Sequence, residues 1–523
     1  MKMRTIALAA LLAGCSLATS AATGKAVEKS TENATGKAAA HAEDGIDWFK
    51  GDVDAAFVYA KQHNKPLFLY WGAVWCPPCN QVKATVFNRQ GFIERSRFFV
   101  PVHIDGDSPS AQKLGARFKV RGYPTMILFQ PDGSEITRLP GEVDSERYLQ
   151  VLELGMNAGH SVKDTLRVAL ADGSKLNADD WRLLAYYSWD TDEQQMITAK
   201  ALPGTLQKLA AACPPGDTSI HLSLSALVAA ATAEPADAPA TDKVAANALL
   251  LRVLGDARLA RDNMDILTNY AGEIASYVTA AGSPERVKLD AKFGAALEKL
   301  ADDATLSKAD RLSAIDAKVA LARIDTPQGA LAPALLDEVK QRVAAADKAT
   351  TDPYERQSVI NNAGHALSDA GLLTESDTLL KAELKRSHSP YYFMTSLASN
   401  AKKRGDNADA LNWYEQAYGA SKGPATRLQW GANYLVNLID LAPADDQRIE
   451  KTADSIIGEL AGTQNAFYER NRTALEKIAH KMTAWNSGGK HDAVFQHVHQ
   501  EFHGVCDKLP ANDPQKSTCL AVM

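Results

Sequence analysis

The sequence predicts a small α/β unit over residues 45–158 followed by a large all-α region. Three observations predict it. Apolar runs of strand length alternate with amphipathic stretches only up to about residue 158. From about residue 160 the chain is rich in Ala, Leu, Asp and Lys, with few strand-like runs. At 523 residues and a net charge of −6 it is too long for one domain.

The elements of the first unit follow in order. Asp52–His63 places Ala55, Phe57, Val58 and Ala60 among polar residues and reads as a helix. Leu67–Trp71 is a continuous apolar run, the mark of a buried strand. Cys76 opens a helix through about Phe87, and Pro77 suits its start because a first-turn N–H has no partner to lose. Phe98–Ile104 is a second strand, Ala111–Phe118 a short helix and Thr125–Phe129 a third strand. Gln130-Pro131-Asp132-Gly133 turns the chain into Ser134–Leu139, and Glu146–Leu154 closes the unit as a helix.

The chemistry sits in Trp75-Cys76-Pro77-Pro78-Cys79. Two cysteines two residues apart at a helix start form a disulfide that opens and closes. The partial positive charge and free N–H groups of a helix N-terminus stabilise a thiolate, the attacking species in thiol–disulfide exchange. Pairs of this spacing also occur in zinc sites, but no second pair exists to complete four ligands.

This motif, with Gly122-Tyr123-Pro124-Thr125 ahead of the third strand, resembles the thioredoxin superfamily over about residues 45–158. The resemblance implies that Pro124 is cis and faces the pair, turning the preceding backbone so that a substrate strand can pair with it. Pro124, Tyr123 and Trp75 are therefore the substrate-positioning candidates; for Trp75 a packing role alone is the other reading. The resemblance further implies that Cys76 and Cys79 are catalytic and form the redox-active disulfide. Cys76 would be the exposed nucleophile and Cys79 the buried resolving thiol. Three departures bear on activity. The family's buried aspartate is replaced by Tyr70, with Val74 nearby also uncharged, its partner lysine by Pro101, and the dipeptide between the cysteines is Pro-Pro. Neither proline donates an N–H, which leaves the Cys79 amide as the nearby donor to the Cys76 sulfur. The expectation is an active pair whose thiolate is less stabilised than in a cytosolic thioredoxin.

The N-terminus carries Lys2 and Arg4 before the apolar run Ile6–Ala13, a secretory signal too short to span a bilayer. Leu12-Ala13-Gly14-Cys15 resembles a bacterial lipobox, which implies lipidation at Cys15; ordinary cleavage near Ala21 is the alternative. Residues 1–22 are thus read as signal peptide and 23–44 as a flexible linker without aromatic residues. The expected location is the periplasm, with a lipoprotein anchor in the outer membrane. Export favours paired cysteines. Cys506 and Cys519 flank a polar loop and are the preferred structural disulfide; a bond from Cys213 to either remains the alternative, since spacing alone leaves connectivity open.

The helical part divides into 160–356, without a clean period, the stretch 357–424, and C-terminal helices over 425–523. Gly371 and Gly405 lie 34 residues apart, and Ala410, Tyr414 and Ala417 occupy small–aromatic–small positions, so 357–424 resembles two tetratricopeptide (TPR-like) repeats. In the first unit Gly364 matches, but Ser376 and Glu383 replace two alanines. Such arrays present a concave face that binds proteins. Trp413, Tyr414, Tyr391 and Tyr392 either line it or belong to the core. His497, His499 and His503, with His480 or His491, are read as a solvated or packed face rather than a metal site, there being no HExxH pattern. Acidic and basic residues are interspersed, which excludes a nucleic-acid block, and no Gly-rich phosphate loop is present.

The sequence therefore predicts an exported thiol–disulfide oxidoreductase that acts on protein thiols and disulfides without cofactor or metal. Its helical body would bind a protein partner. The alternative is a TPR-like binding scaffold whose head is structural or only weakly active.

Overall fold

The computed structural model describes residues 45–141 and 144–523. The signal peptide, Cys15 and the linker lie outside the described residues.

α1 (Val53–His63) is capped by the Asp52 carboxylate, which accepts from the Ala55 N–H, and ends at Asn64 in a left-handed conformation. β1 (Leu67–Gly72) is buried throughout. α2 (Pro77–Val82) starts on Cys76 and continues as a π-helical turn over Lys83–Phe87. The next helix, α3 (Gln90–Arg95), was not legible in the sequence. The strand predicted over Phe98–Ile104 begins later, as β2 (Val100–Asp105), because Ser96–Phe98 winds into a 3₁₀ turn that leaves Phe98 exposed. α4 (Ala111–Phe118), β3 (Thr125–Phe129), β4 (Glu135–Leu139) and α5 (Ser145–Met156) complete the head.

The sheet order is β2-β1-β3-β4, with β2 parallel to β1, and β3 and β4 antiparallel to their neighbours. Alternation along the strands divides the core. Leu67, Leu69, Trp71, Val100, Val102, Ile127 and Phe129 pack on one face with Ala56 of α1 and Phe118 of α4. Phe68, Tyr70, Met126 and Leu128 face the other side, against Phe87, Phe92, Tyr148 and Leu152. That second core runs on into Val162, Leu166, Trp181, Leu183 and Leu184, so the first body helices are welded to the back of the head. Arg138 of β4, fully buried, tightens this seam. It donates to the carbonyls of Phe118 (2.6 Å), Lys119 (3.0 Å) and Thr191, and it pairs with Glu135 (3.0 Å).

Everything after α5 is helical among the described residues. Helices break at Pro- and Gly-containing turns, among them Gly282-Ser283-Pro284 and Asp352-Pro353. Pro284 and Pro353, like Pro333, Pro390 and Pro424, occupy first turns, where a missing N–H costs nothing. In the stretch resembling repeats, two antiparallel pairs appear: 353–369 with 373–383, and 390–403 with 407–420. Gly371 and Gly405 both turn the chain at positive φ, 86° and 81°. A Cβ on Gly364 would sit 2.9 Å from the Leu380 side chain, so this position needs glycine for the helices to touch. The two departures from alanine have a polar cause. Ser376 donates to the Gly364 carbonyl at 2.9 Å and accepts from Asn400 at 2.9 Å. Glu383 receives the Arg356 guanidinium at 2.6 Å and 3.0 Å, with both side chains almost wholly buried.

Cys506 and Cys519 are bridged, joining helices 492–507 and 514–520. Cys213 is unpaired and buried, and burial pushes its thiol up to about 11. His499 and His503 stack at 4.3 Å, His503 meets the Met523 carbonyl at 3.1 Å, and His497 approaches Asp454 at 3.2 Å. Among the described residues no group of three His, Cys, Asp or Glu is placed to hold a metal. No described helix is long and apolar enough to cross a membrane.

Candidate active site

Pairing with β2 on one side and β3 on the other puts β1 inside the sheet, and the chain leaves its end as the loop Ala73–Trp75. Cys76 caps α2, and the Cys79 N–H, the first amide in the helix that a proline does not occupy, donates to its sulfur at 3.2 Å. The two sulfurs are bonded, with Cα atoms 5.2 Å apart. Asn80 fastens the loop, donating to the carbonyls of Val74 (2.8 Å) and Cys76 (2.9 Å).

Trp71 at the end of β1 pairs with Thr125 at the start of β3, which sets the Tyr123–Pro124 peptide beside the cysteine loop. That peptide is cis. The rings of Trp75 and Tyr123 lie 6.0 Å apart. The Tyr123 hydroxyl donates to the Gly106 carbonyl at 3.3 Å, and Gln112 reaches the same carbonyl at 3.2 Å. Tyr70, at the position of the family's aspartate, packs edge-on to Phe87 at 4.8 Å and over His103 at 4.9 Å. Burial pushes its hydroxyl far above the ordinary tyrosine range, so it stays neutral.

One expectation is corrected. Cys76 is not exposed: it and Cys79 each keep only 2% of their surface. The cause lies outside the head, in helices 353–369, 390–403, 424–441 and 469–485, which cover this end of it. Gln357 donates to the Trp75 carbonyl at 3.3 Å, and His388 to the Val74 carbonyl at 3.0 Å. The Trp75 indole meets Trp430 edge-on at 4.9 Å and stacks on Tyr392 at 6.0 Å. Its N–H donates to Asp107 at 3.0 Å, and the other Asp107 oxygen accepts from the Thr426 hydroxyl. Arg470 lies over the Tyr123 ring at 4.4 Å and the Trp75 ring at 5.7 Å, close enough for cation–π attraction. Beside α2, Gln81 donates to Asp310 at 2.6 Å.

Burial raises the Asp107 carboxyl from 3.8 to about 6; neighbouring Asp105 adds to this, while Thr426, Trp75 and Arg470 oppose it. Burial also lifts Asp310 to about 6. Desolvation lowers the Arg470 guanidinium and the His388 imidazole below their usual values.

Of the predicted aromatics, Tyr391, Tyr392 and Tyr414 are buried or half-buried. Tyr391 and Tyr392 gather around Trp430 at this site, whereas Trp413 lies elsewhere, bonded to Asp409. Asp107, Gln357, His388, Thr426 and Arg470 carried no local signal: each becomes part of the site only through the folding back of the body.

Residues 53–155 match the family described as thioredoxin-like domain. Over 103 residues the chain is 31% identical to the thiol:disulfide interchange protein DsbD of Pseudomonas fluorescens, covering 19% of this chain and 18% of that protein. It is 30% identical over 97 residues to the thiol:disulfide interchange protein DsbD 1 of Pseudomonas aeruginosa, covering 18% of this chain and 16% of the relative. To thioredoxin H5 of Oryza sativa subsp. japonica it is 28% identical over 115 residues, 20% of this chain and 81% of the relative. The chain thus spans less than a fifth of the length of the two interchange proteins. It contains a thioredoxin-like domain with a bonded Cys76–Cys79 pair, followed by a large all-helical region.

Proposed function

We propose that this chain is an exported thiol–disulfide oxidoreductase acting on protein disulfides. The observation that carries the reading is the Cys76–Cys79 pair at the tip of α2, beside a cis-proline peptide, in a thioredoxin-like domain. The alignment with two proteins named for thiol:disulfide interchange supports it.

In the reduced head, the Cys76 thiolate attacks one sulfur of a partner's disulfide, and the partner's other sulfur leaves as a thiolate that takes up a proton. Cys79, deprotonated, then attacks the Cys76 sulfur and releases the partner's second thiolate. Two electrons pass to the partner, and the head ends as the bonded pair. The same bonds made and broken in reverse oxidise a dithiol. The helix N-terminus and the Cys79 N–H stabilise negative charge on the Cys76 sulfur. Pro124, Tyr123 and Trp75 position the partner's strand. The Lys2–Cys15 leader supports export to the periplasm and lipid anchoring at Cys15. The helical body provides the surface for a protein partner.

A second reading, a binding scaffold with a structural head, is favoured by one observation: both sulfurs are covered. Insulin reduction in the presence of dithiothreitol separates the two. Wild type is expected to precipitate insulin chains at least tenfold faster than Cys76→Ser. Equal rates, persisting when the covering helices are displaced from the pair by Thr426→Glu, would remove the catalytic reading and leave the scaffold.

A further inference from the structure

The cover over the cysteine pair differs from the seam at the back of the head. One continuous apolar core takes in both contacts, running from α5 into the helices that follow at the back and from Trp75, Cys76 and Cys79 to Tyr391 and Trp430 at the front; what sets the front apart is its polar bonds. At the front, the body donates to head carbonyls: His388 to Val74, Gln357 to Trp75, Arg470 to Arg121 and Asn465 to Pro109. One head carboxylate is received by Thr426, and two head rings lie under Arg470. The aromatic group of Trp430 and Tyr392 closes over Trp75.

This front contact is also incompletely satisfied. Arg470 Nε, Gln429 Nε2, Asn471 Oδ1 and His388 Nδ1 are buried on the body side with no hydrogen-bond partner among the described residues. Buried and unpaired, they favour any state in which water reaches them. The contact is thus held by rings and by a set of polar bonds that includes the Arg121–Glu469 ion pair at 2.7 Å and the Asn471 N–H to Gln112 bond at 3.3 Å, and opposed by orphaned groups.

We propose that the helices over 353–485 form a separable cover that closes the Cys76–Cys79 pair to protein partners, which reach it only when the cover lifts from the head. The inference rests on the oxidoreductase reading. Of the four aromatics that were to line a concave face or belong to the core, Tyr391 and Tyr392 lie on the surface the cover presents to the head, beside Trp430 and Arg470. In the closed state its partner is the chain's own redox tip. The back seam, with Arg138 and Trp181, stays joined, so opening moves the cover rather than releasing the head.

Thr426→Glu tests this in the full-length chain. Thr426 is the third residue of its helix, where an acidic side chain suits the helix dipole, and it is fully buried against the head, so a longer charged side chain there is relieved only by separation of the two. It sets a second carboxylate against Asp107. Gln357→Ala, which deletes the bond to the Trp75 carbonyl, serves as a milder second variant. Hydrogen exchange over residues 73–80 reads opening. The rates at which dithiothreitol and a reduced thioredoxin reduce the Cys76–Cys79 bond read access by a small and a protein dithiol.

Thr426→Glu is expected to raise exchange and to increase the protein-to-small rate ratio at least tenfold, with Gln357→Ala in the same direction by a smaller factor. Faster exchange with an unchanged ratio would refute gating. Unchanged exchange in both variants would refute a separable cover. Failure of thioredoxin to react with any variant, while dithiothreitol reduces all of them, would instead remove the oxidoreductase reading itself.

Discussion

Replacing Asp107 by asparagine should stabilise the protein at neutral pH and do so less in acid. Asp107 sits between Trp75 and Thr426, with Asp105 on its own segment and Arg470 and Tyr123 across from it. Burial holds its carboxyl near 6 against an ordinary 3.8, so the fold favours the protonated form. The sign follows from linkage. Below 3.8 the group is neutral folded and unfolded, and no cost arises. As pH rises the unfolded chain ionises first, and the cost grows until it levels above about 6. A shift of about two units at 1.36 kcal/mol each gives ~3 kcal/mol at pH 8 and ~1 kcal/mol at pH 4.5. Asparagine cannot ionise, its oxygen still accepts from the Trp75 N–H, and its amide can donate to the Thr426 oxygen. Asp107→Asn is therefore expected to gain ~3 kcal/mol over wild type at pH 8 and ~1 kcal/mol at pH 4.5. Urea denaturation followed by tryptophan emission at both pH values measures the difference. An equal gain at the two pH values, or a variant weaker than wild type at pH 8, would refute the reasoning.

Two further outcomes follow from buried groups. Glu383→Ala strands the Arg356 guanidinium in the interior and should cost ~3–5 kcal/mol in chemical denaturation followed by helicity; the joint replacement Arg356→Met with Glu383→Leu should recover most of that loss. Breaking the C-terminal bridge with Cys506→Ser and Cys519→Ser releases a loop of sequence separation 13. It should cost ~3 kcal/mol, read as a lowered melting temperature that reductant reproduces in wild type.

The strands of the head were legible because each is a short apolar run bounded by turn residues, and Ala111–Phe118 and Thr125–Phe129 have the ends the pattern predicts. The breaks between body helices were legible for the same local reason: Pro284 and Pro353 mark helix starts. α3 was missed because six residues with one buried side chain, Phe92, give no period to read. Ser376 and Glu383 looked like losses from a small-residue pattern, whereas they belong to buried hydrogen-bonded networks whose partners, Asn400 and Arg356, lie one helix away. The covering of Cys76 was beyond any local reading. A lone CxxC at a helix start looks solvent-facing, and nothing near Trp75 announces Gln357, Trp430 or Arg470.

The separation of 282 residues between Trp75 and Gln357 has a consequence in time. Chains are made from the N-terminus, and lobes fold as they emerge. The sheet and its flanking helices are complete before the residues that roof them have been synthesised. During that interval the newborn cysteine pair stands bare of its cover. Closure comes only with the last third of the polypeptide, so a ribosome that stalls early would deliver a permanently open form.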